Sequence, residues 1–305
     1  MHDDEIEIGD DLVRRLIGRD LPQFADLPLR RLAASGSSNV LFRLGRDYLV
    51  RLPRQPGGSR SVETEARWLA RLAPKLPVVV PEVVAVGEPG FGYSERWTLT
   101  RWIDGRLPAT PVPPGAAANA LAADLAAFVT ALHTVEVPDQ AAADPNLRWY
   151  RGGPLSSIDA SIRQYLEDCR RLPDLPLDVD GCLEVWAAAV ELPLSNGINC
   201  WLHADLVAEN VLLRDDRLVA VLDFGGLTVG DPSVDLVVAW EVLEPEAREV
   251  FRECLDVDDM TWLRGRGWAL AIAAMTFPYY WTSMPARCTA RLAMAQQVLA
   301  DAFHR

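Results

Sequence analysis

The sequence lacks the features of a membrane or exported protein. It has no charge-free run of about 18 apolar residues, the length that a helix needs to cross a bilayer. Its first residues, MHDDEIEIGDD, are rich in acids where a secretory signal peptide carries basic residues. These two absences predict a cytoplasmic protein that does not act at a membrane.

Cysteine is scarce and poorly placed for cross-linking. The five cysteines are scattered along the chain, with no CxxC pair among them: Cys169, Cys182, Cys200, Cys254 and Cys288. Neither a disulfide framework nor a zinc site is indicated by this spacing. We expect reduced thiols that mostly serve packing.

Positive charge falls short of negative charge, with 30 Lys and Arg against 43 Asp and Glu and a net charge of −13. A surface of this sign repels nucleic-acid phosphates and attracts cations. The composition therefore predicts no nucleic-acid partner. It fits a ligand that carries positive charge.

The first third of the chain is predicted to form a small antiparallel sheet around one helix. Residues 40–44 and 48–52 are apolar, β-branched runs separated by a short turn, which predicts a β-hairpin. The segment SVETEARWLARLAP has apolar residues at helical spacing and ends at a proline. Two further strands are predicted in PEVVAVG and RWTLTRWI.

A proline-rich segment, RLPATPVPPG at residues 106–115, separates this region from a mainly helical one. The helical patterns are interrupted by short predicted strands in CWLH, NVLLRDD and RLVAVLDF. The chain has no internal repeat and no long low-complexity tract. We predict a bilobal α+β fold, with a sheet-rich lobe in residues 1–103, a helical lobe in residues 104–305, and a ligand cleft. The sequence does not distinguish a monomer from a dimer.

The segment CWLHADLVAENVLLRDDRLVAVLDFGG carries the residue types that phosphoryl transfer needs. A carboxylate at Asp205 suits the orientation and deprotonation of an acceptor hydroxyl. The amide oxygen of Asn210 and the carboxylate of Asp223 are hard oxygen ligands of the kind that Mg²⁺ prefers. Because a tight hairpin joins Asn210 to Asp223, the two can lie side by side at one sheet edge.

The pattern HxDxxxxN followed by an Asp at a strand end resembles that of the kinase-like phosphotransferases. HADLVAENVLL and VLDFGG are similar to the aminoglycoside phosphotransferase family, and the resemblance covers nearly the whole chain. It implies a protein-kinase-like fold, Asp205 as the catalytic aspartate, and Asn210 and Asp223 as Mg²⁺ ligands. It also implies that His203 holds the loop in shape and that Asp235 braces the loop or caps a helix. The three site residues are expected to converge at the mouth of an interlobe cleft.

The amino-terminal region supplies the predicted nucleotide site. Small residues before the hairpin, Ser37, Ser38 and Asn39, would let backbone N–H groups approach phosphates. Arg51 stands where protein kinases carry a phosphate-binding lysine. Glu65 shares the apolar stripe of the predicted helix and is the expected partner of Arg51, because a buried carboxylate needs one. Glu63 is predicted to face solvent, although a shift of one residue in the helix boundary would exchange the two.

The nucleotide base is expected at the connection between the lobes. In kinase-like folds the backbone there holds the base, and the matching residues are Arg101, Trp102 and Ile103. Because backbone contacts read the base, the sequence leaves ATP and GTP open as the co-substrate. His133, at the end of a predicted helix, is expected to be a packing or capping residue.

A small acceptor is favoured, because the interval between Asp223 and Pro232 is short and no Ala-Pro-Glu signature follows. Trp240, Glu241 and Glu244 are candidates for an acidic, aromatic acceptor pocket. Such a pocket would pair with the amines of an aminoglycoside or a cationic peptide antibiotic. Further acidic candidates follow at Asp256, Asp258 and Asp259.

Two other functions stay open from the sequence. Within the same chemistry, the acceptor could be a macrolide or a metabolic alcohol such as choline, homoserine or a sugar. From another class, the chain could be a nucleotide-binding module without activity. The presence of Asp205, Asn210 and Asp223 together argues against that module.

Overall fold

The computed structural model describes residues 5–32, 38–194 and 199–303. By spatial clustering the chain forms two compact units. The first lies within Met1–Pro74, Val79–Asp104 and Leu222–Gly225. The second lies within Lys75–Val78, Gly105–Val221 and Gly226–Arg305. Each unit is described separately below.

The first unit is built on a five-stranded antiparallel sheet with strand order β1-β2-β3-β5-β4. The strands are β1 Leu29–Arg31, β2 Asn39–Leu44, β3 Tyr48–Pro53, β4 Val83–Gly87 and β5 Trp97–Arg101. The predicted hairpin is confirmed as β2 and β3, each one residue longer than expected, with Val40 opposite Leu52. β1 was not foreseen, because three residues are too few to show an alternating pattern.

Two helices complete this unit, α1 Asp10–Asp20 and α2 Ser59–Leu72. The buried side chains of α1 (Val13, Leu16 and Ile17) join one core with the apolar residues of the sheet. The predicted stripe of α2 is confirmed, since Val62, Glu65, Leu69 and Leu72 are buried. The sheet thus places β3, and with it Arg51, in the same unit as Glu65.

The second unit is mainly helical. Its helices are α3 Ala116–Thr134, α4 Asp139–Ala142, α5 Asp159–Cys169, α6 Val179–Val190, α7 Val238–Glu241, α8 Pro245–Leu255, α9 Asp259–Tyr280 and α10 Pro285–Phe303. α9 packs against α5, α6 and α10, and α3 packs against α8. Apolar aromatic side chains fill this core, among them the fully buried Trp186, Trp240, Trp262 and Trp268.

Within the described ranges, α3 alone is long and apolar enough to pass a length-and-composition test for a membrane span. This is weak evidence for a membrane, because core helices pass the same test. α3 buries Leu121, Leu125, Phe128 and Leu132 in the unit. We interpret α3 as a core helix.

Four short strands lie among these helices. β7 Val211–Arg214 pairs with β8 Arg217–Val221, and β6 Cys200–Leu202 pairs with β9 Thr228–Gly230. The strands predicted in CWLH, NVLLRDD and RLVAVLDF are confirmed, whereas the three-residue β9 was not foreseen. The segment PSVDLVVAWEVL, part of the region with helical patterns, forms a 3₁₀ turn, Pro232–Val237, and the short α7. The side chain of Asp231 opens this turn by accepting the Ser233 N–H at 3.0 Å.

Candidate active site

In the first unit, Arg51 on β3 joins Glu65 on α2 to Asp223. Its Nη1 donates to both carboxylate oxygens of Glu65, at 2.9 and 2.8 Å, and its Nη2 donates to Asp223 Oδ1 at 2.8 Å. Arg51 and Glu65 are buried, whereas the Asp223 side chain is 37% exposed. An arginine suits this task because its planar fork can bind two carboxylates at once. Three residues singled out in the sequence are thus in direct contact.

The charge of Arg51 is secured by its two partners. Burial alone would lower the pKa of Arg51, but the nearby carboxylates of Glu65 and Asp223 outweigh burial and raise its pKa above the ordinary value. Glu63, two residues before Glu65 and on another face of α2, instead pairs with exposed Arg96 at 3.1 Å. The buried partner of Arg51 is therefore Glu65.

We expect Glu65→Ala to lower the free energy of unfolding by about 3 kcal/mol, because breaking a buried ion pair leaves a charge without compensation. Glu63→Ala is the matched control on the same helix. It should cost less than about 1 kcal/mol, as exposed pairs do. Urea unfolding followed by fluorescence measures both values, and equal destabilisation in the two variants would contradict the assignment.

Asp223 has an uncommon backbone conformation. Its φ of 56° lies in the left-handed region, which Asp adopts more readily than most residues do. The Gly225 N–H lies 3.4 Å from Asp223 Oδ1. A Cβ on Gly225 would meet that oxygen at 3.2 Å and the Cβ of Ser61 at 3.2 Å. The glycine therefore leaves room beside the carboxylate.

Two of the remaining nucleotide-site candidates, Ser38 and Asn39, lie at the start of β2. Ser37 is outside the described residues. Ser38 is exposed and accepts the Arg54 N–H at 2.9 Å through its carbonyl, and Asn39 begins β2. Their role in phosphate binding stays a prediction.

The three residues predicted to contact the base lie at the end of β5 and directly after it. Arg101 ends β5, and its Nη1 donates to the Tyr48 hydroxyl at 3.2 Å. The Trp102 N–H donates to the Asp47 carbonyl at 2.8 Å, so this amide already has a partner. Ile103 is half-buried. Base binding by these residues also stays a prediction.

In the second unit, the loop after β6 holds Asp205 and Asn210 together. Asn210 Nδ2 donates to the Asp205 carbonyl at 2.9 Å and lies 3.3 Å from Asp205 Oδ2. The Asp205 N–H donates to Nδ1 of the fully buried His203 at 3.2 Å. His203 thus shapes the loop, whereas the Asp205 side chain is 37% exposed. Asp223 belongs to the other unit, and the convergence of all three site residues stays a prediction.

A buried carboxylate, Asp235, holds the backbone at the start of this loop. It accepts the N–H groups of His203 and Ala204 at 2.9 and 2.7 Å. Ala204 needs this support because its φ of 61° is strained for a residue with a Cβ. His133 Nε2 lies 3.0 Å from the same carboxylate. His133 is therefore a partner of Asp235 rather than only a packing residue.

The carboxyl half of the loop is held from α10. Arg287 Nε donates to Glu209 Oε1 at 2.8 Å. Arg291 pairs with Glu241, whose other oxygen accepts the Ala208 N–H at 2.8 Å. Both ends of the loop are thus anchored by charged side chains from helices.

Two of the predicted acceptor residues serve the interior instead. Trp240 is fully buried, with its ring centroid 4.7 Å from that of Trp262. Glu241 is 3% exposed and is used by Arg291 and the loop. Direct acceptor contact does not fit either residue, and burial of this kind is not visible in the helical pattern. Glu244 is half-buried at the start of α8 and stays a prediction.

The other acidic candidates also have local tasks. Asp258 caps α9 by accepting the Thr261 N–H at 2.8 Å. Asp259 pairs with Arg252. Asp256 ends α8 in the left-handed conformation.

No sequence pattern pointed to Arg151, which contacts Asp205 directly. Arg151 lies in the 3₁₀ turn Tyr150–Gly152, 54 residues before Asp205. Its Nη1 donates to Asp205 Oδ1 and, at 2.8 Å, to the Ala204 carbonyl. Burial alone would raise the pKa of Asp205, but the charge of Arg151 outweighs it and holds that pKa below the usual value. The contact with Arg151 thus favours the charged form of Asp205.

Asn210 and Asp223 each carry an oxygen of the kind that Mg²⁺ prefers, and their role as metal ligands stays a prediction. Asn210 uses its amide nitrogen to hold the loop, and its amide oxygen accepts no hydrogen bond within residues 5–32, 38–194 and 199–303. Over the same ranges, no cluster of three or more His, Cys, Asp and Glu could hold a metal alone. A nucleotide-bound Mg²⁺ needs only one or two protein ligands, because phosphates and waters supply the others.

The sequence and the structure were compared with those of known proteins. Among curated proteins, no sequence match was found. The structure is similar to the GDP complex of wild-type aminoglycoside 2'-phosphotransferase-IIIa, at 19% identity over 97% of this chain and 100% of that chain, with a TM-score of 0.69. It is also similar to the ADP-bound aminoglycoside phosphotransferase APH(2'')-Ib, at 19% identity over 96% of this chain and 99% of that chain, with a TM-score of 0.62.

A macrolide enzyme is also similar. Macrolide 2'-phosphotransferase MphH from Brachybacterium faecium matches at 22% identity over 94% of this chain and 97% of that chain, with a TM-score of 0.59. At such identities the likeness shows the fold. The predicted kinase-like α+β fold class is thereby confirmed.

The sequence profile of the phosphotransferase enzyme family matches residues 29–268. This range contains Arg51, Asp205, Asn210 and Asp223 and most of the 305 residues. The chain therefore belongs to the phosphotransferase enzyme family.

Proposed function

We propose that this protein transfers the γ-phosphoryl of ATP or GTP to a hydroxyl of a small molecule. The observation that carries the proposal is the state of Asp205. It is a half-exposed carboxylate held by Arg151, in a loop in which His203 and Asn210 are buried and hydrogen-bonded. A base that must meet a substrate hydroxyl needs both exposure and a fixed position.

Each residue has one task in the proposed reaction. Asp205 orients the acceptor hydroxyl and takes its proton as the acceptor oxygen bonds to the γ-phosphorus. Arg51, fixed by Glu65, offers a permanent positive charge to the nucleotide phosphates. A bound Mg²⁺, with Asn210 and Asp223 as its protein ligands, would neutralise charge on the β- and γ-phosphates.

We propose an aminoglycoside or a related cationic antibiotic as the first class of acceptor, with antibiotic resistance as the biological role. The net charge of −13 favours a cationic ligand by long-range attraction. Two similar structures hold kanamycin or gentamicin. Glu244 remains a candidate for contact with an amine of such a ligand.

A second class, a macrolide or another alcohol of low charge, is favoured by the surroundings of Asp205. Three carboxylates in or beside the loop, Asp205, Glu209 and Glu241, are each paired with an arginine. Paired carboxylates offer little net charge to a polycation. Two macrolide phosphotransferases are among the similar structures.

A panel assay tests the proposal. Kanamycin, gentamicin, streptomycin, erythromycin, choline, homoserine and glucose are offered in turn with MgATP or MgGTP, and release of nucleoside diphosphate is measured. We expect turnover of at least one acceptor well above the rate with water, and an inactive Asp205→Asn variant excludes a contaminating kinase. Turnover of a macrolide but no aminoglycoside would select the second class. No turnover with any acceptor would count against a phosphotransferase with these substrates.

A further inference from the structure

Arg151 is held in place by groups other than Asp205. Its Nε donates to the Tyr150 hydroxyl at 3.2 Å, and its Nη1 donates to the Ala204 carbonyl at 2.8 Å. The guanidinium carbon lies 4.5 Å from the centroid of the Trp149 ring. A stacked and hydrogen-bonded guanidinium loses little further freedom when it binds a ligand. The position of Arg151 is thus set before any substrate arrives.

One end of this guanidinium remains available. The Arg151 side chain is 13% exposed, and its Nη2 has no hydrogen-bond partner within the described ranges 5–32, 38–194 and 199–303. Nη1, on the same fork, contacts Asp205. A ligand oxygen that binds Nη2 would therefore lie close to the catalytic carboxylate.

Cations for a transferring phosphoryl group are otherwise scarce in the second unit. The catalytic loop, residues 203–210 (HADLVAEN), contains no lysine or arginine. The whole chain has a single lysine, Lys75, which is exposed. Arg287 and Arg291 near the loop are engaged by Glu209 and Glu241. Of these three arginines, Arg151 is the one in direct contact with Asp205.

We propose that Arg151 is a further catalytic residue, whose Nη2 binds a non-bridging oxygen of the γ-phosphoryl group during transfer while Nη1 stays on Asp205. The inference rests on the proposed function. An arginine supplied by the same chain would stabilise the charge that develops on the transferring group. It would also keep the base and the phosphoryl group at a fixed separation.

The proposed transfer replaces one bond to the γ-phosphorus by another. The acceptor oxygen forms a bond to the γ-phosphorus, and its proton passes to Asp205. The bond between the γ-phosphorus and the β–γ bridging oxygen breaks, and its electron pair stays on the nucleoside diphosphate. Arg151 exchanges no proton and only holds the charged oxygens of the moving group.

Two variants separate this role from a structural one. Arg151→Gln removes the charge but keeps a donor for the Ala204 carbonyl, and Arg151→Lys keeps the charge but removes the fork. Arg148→Gln is the matched control, since Arg148 is exposed and three residues away in the chain. Melting curves establish that each variant is folded.

The first measurement is turnover with the acceptor found in the panel, or with water. We expect kcat to fall on the order of 10²-fold in Arg151→Gln and about tenfold in Arg151→Lys, with the KM for the nucleotide nearly unchanged. The second measurement is calorimetry with MgADP or MgGDP, alone and with aluminium fluoride as a mimic of the phosphoryl group in transfer. The gain in affinity from aluminium fluoride should shrink by a similar factor, whereas binding of the diphosphate alone should not change.

The results distinguish the inference from the function on which it rests. If wild type and Arg148→Gln are active and Arg151→Gln equals them in both measurements, the role of Arg151 is refuted while the proposed function stands. If Arg151→Gln does not fold, the same measurements are made on Arg151→Lys. A variant equal to wild type would refute the role, because lysine lacks the planar fork that binds Asp205 and the phosphoryl oxygen through separate nitrogens. A wild type that transfers phosphate neither to an acceptor nor to water overturns the proposed function, and the inference with it.

Discussion

Asp205→Asn is expected to lower kcat by about 10³-fold or more, equivalent to roughly 4 kcal/mol of transition-state stabilisation. The change preserves the size of the side chain but removes the oxygen that takes the acceptor proton. Nucleotide affinity should be largely kept, because Asp205 is not a proposed ligand of the nucleotide or of its metal. Steady-state turnover and calorimetry with the Mg²⁺–nucleotide complex provide the two measurements.

Asp216→Asn is a suitable control for this variant. Asp216 is an exposed carboxylate in the turn between β7 and β8, where it pairs with Arg106. Its loss should leave kcat within about twofold of wild type, as is usual for surface changes. Turnover of Asp205→Asn near the wild-type rate would show that the proton goes elsewhere.

Asp223→Asn is expected to have the second large effect, a fall of about 10³-fold in kcat/KM for the nucleotide. The variant loses a proposed metal ligand, and it also leaves Arg51 with Glu65 as its one remaining carboxylate. Binding of the nucleotide should then depend much less on Mg²⁺. Calorimetric titration of ATP and GTP with and without the metal measures this dependence.

A conservative control for Asp223 lies in the same unit. Asp26 is exposed, and Asp26→Asn should bind the Mg²⁺–nucleotide complex as wild type does. If Asp223→Asn kept the full metal dependence of nucleotide binding, Asp223 could not be a metal ligand. Another residue would then have to bind the Mg²⁺ together with Asn210.

Periodic patterns in the sequence predicted the parts of the fold that are long enough to show a period. The β2–β3 hairpin and α2 extend over 6 and 14 residues per element, and both are confirmed. Glu65 could be selected over Glu63 because a helix has a buried and an exposed stripe. β1 and β9, with three residues each, are too short to carry such a signal.

Residues that act through tertiary contact were harder to predict. Arg151 lies in a turn without a motif and reaches Asp205 only in the folded unit. Trp240 and Glu241 were predicted at an acceptor pocket because acidic and aromatic residues suit one, but their burial depends on packing against α9 and α10. The loop motif predicted the residue types of the chemistry, whereas the side chains that hold the loop came from distant segments.

The anchoring of the catalytic loop from α10 has a consequence during synthesis. Arg287 follows its partner Glu209 by 78 residues, and Arg291 follows Glu241 by 50. A nascent chain that has left the ribosome as far as Asp223 carries the complete motif but lacks the helix that holds the loop in place. We therefore expect the newly synthesised chain to gain activity late and abruptly, when α10 packs against the loop, rather than when the motif itself leaves the ribosome.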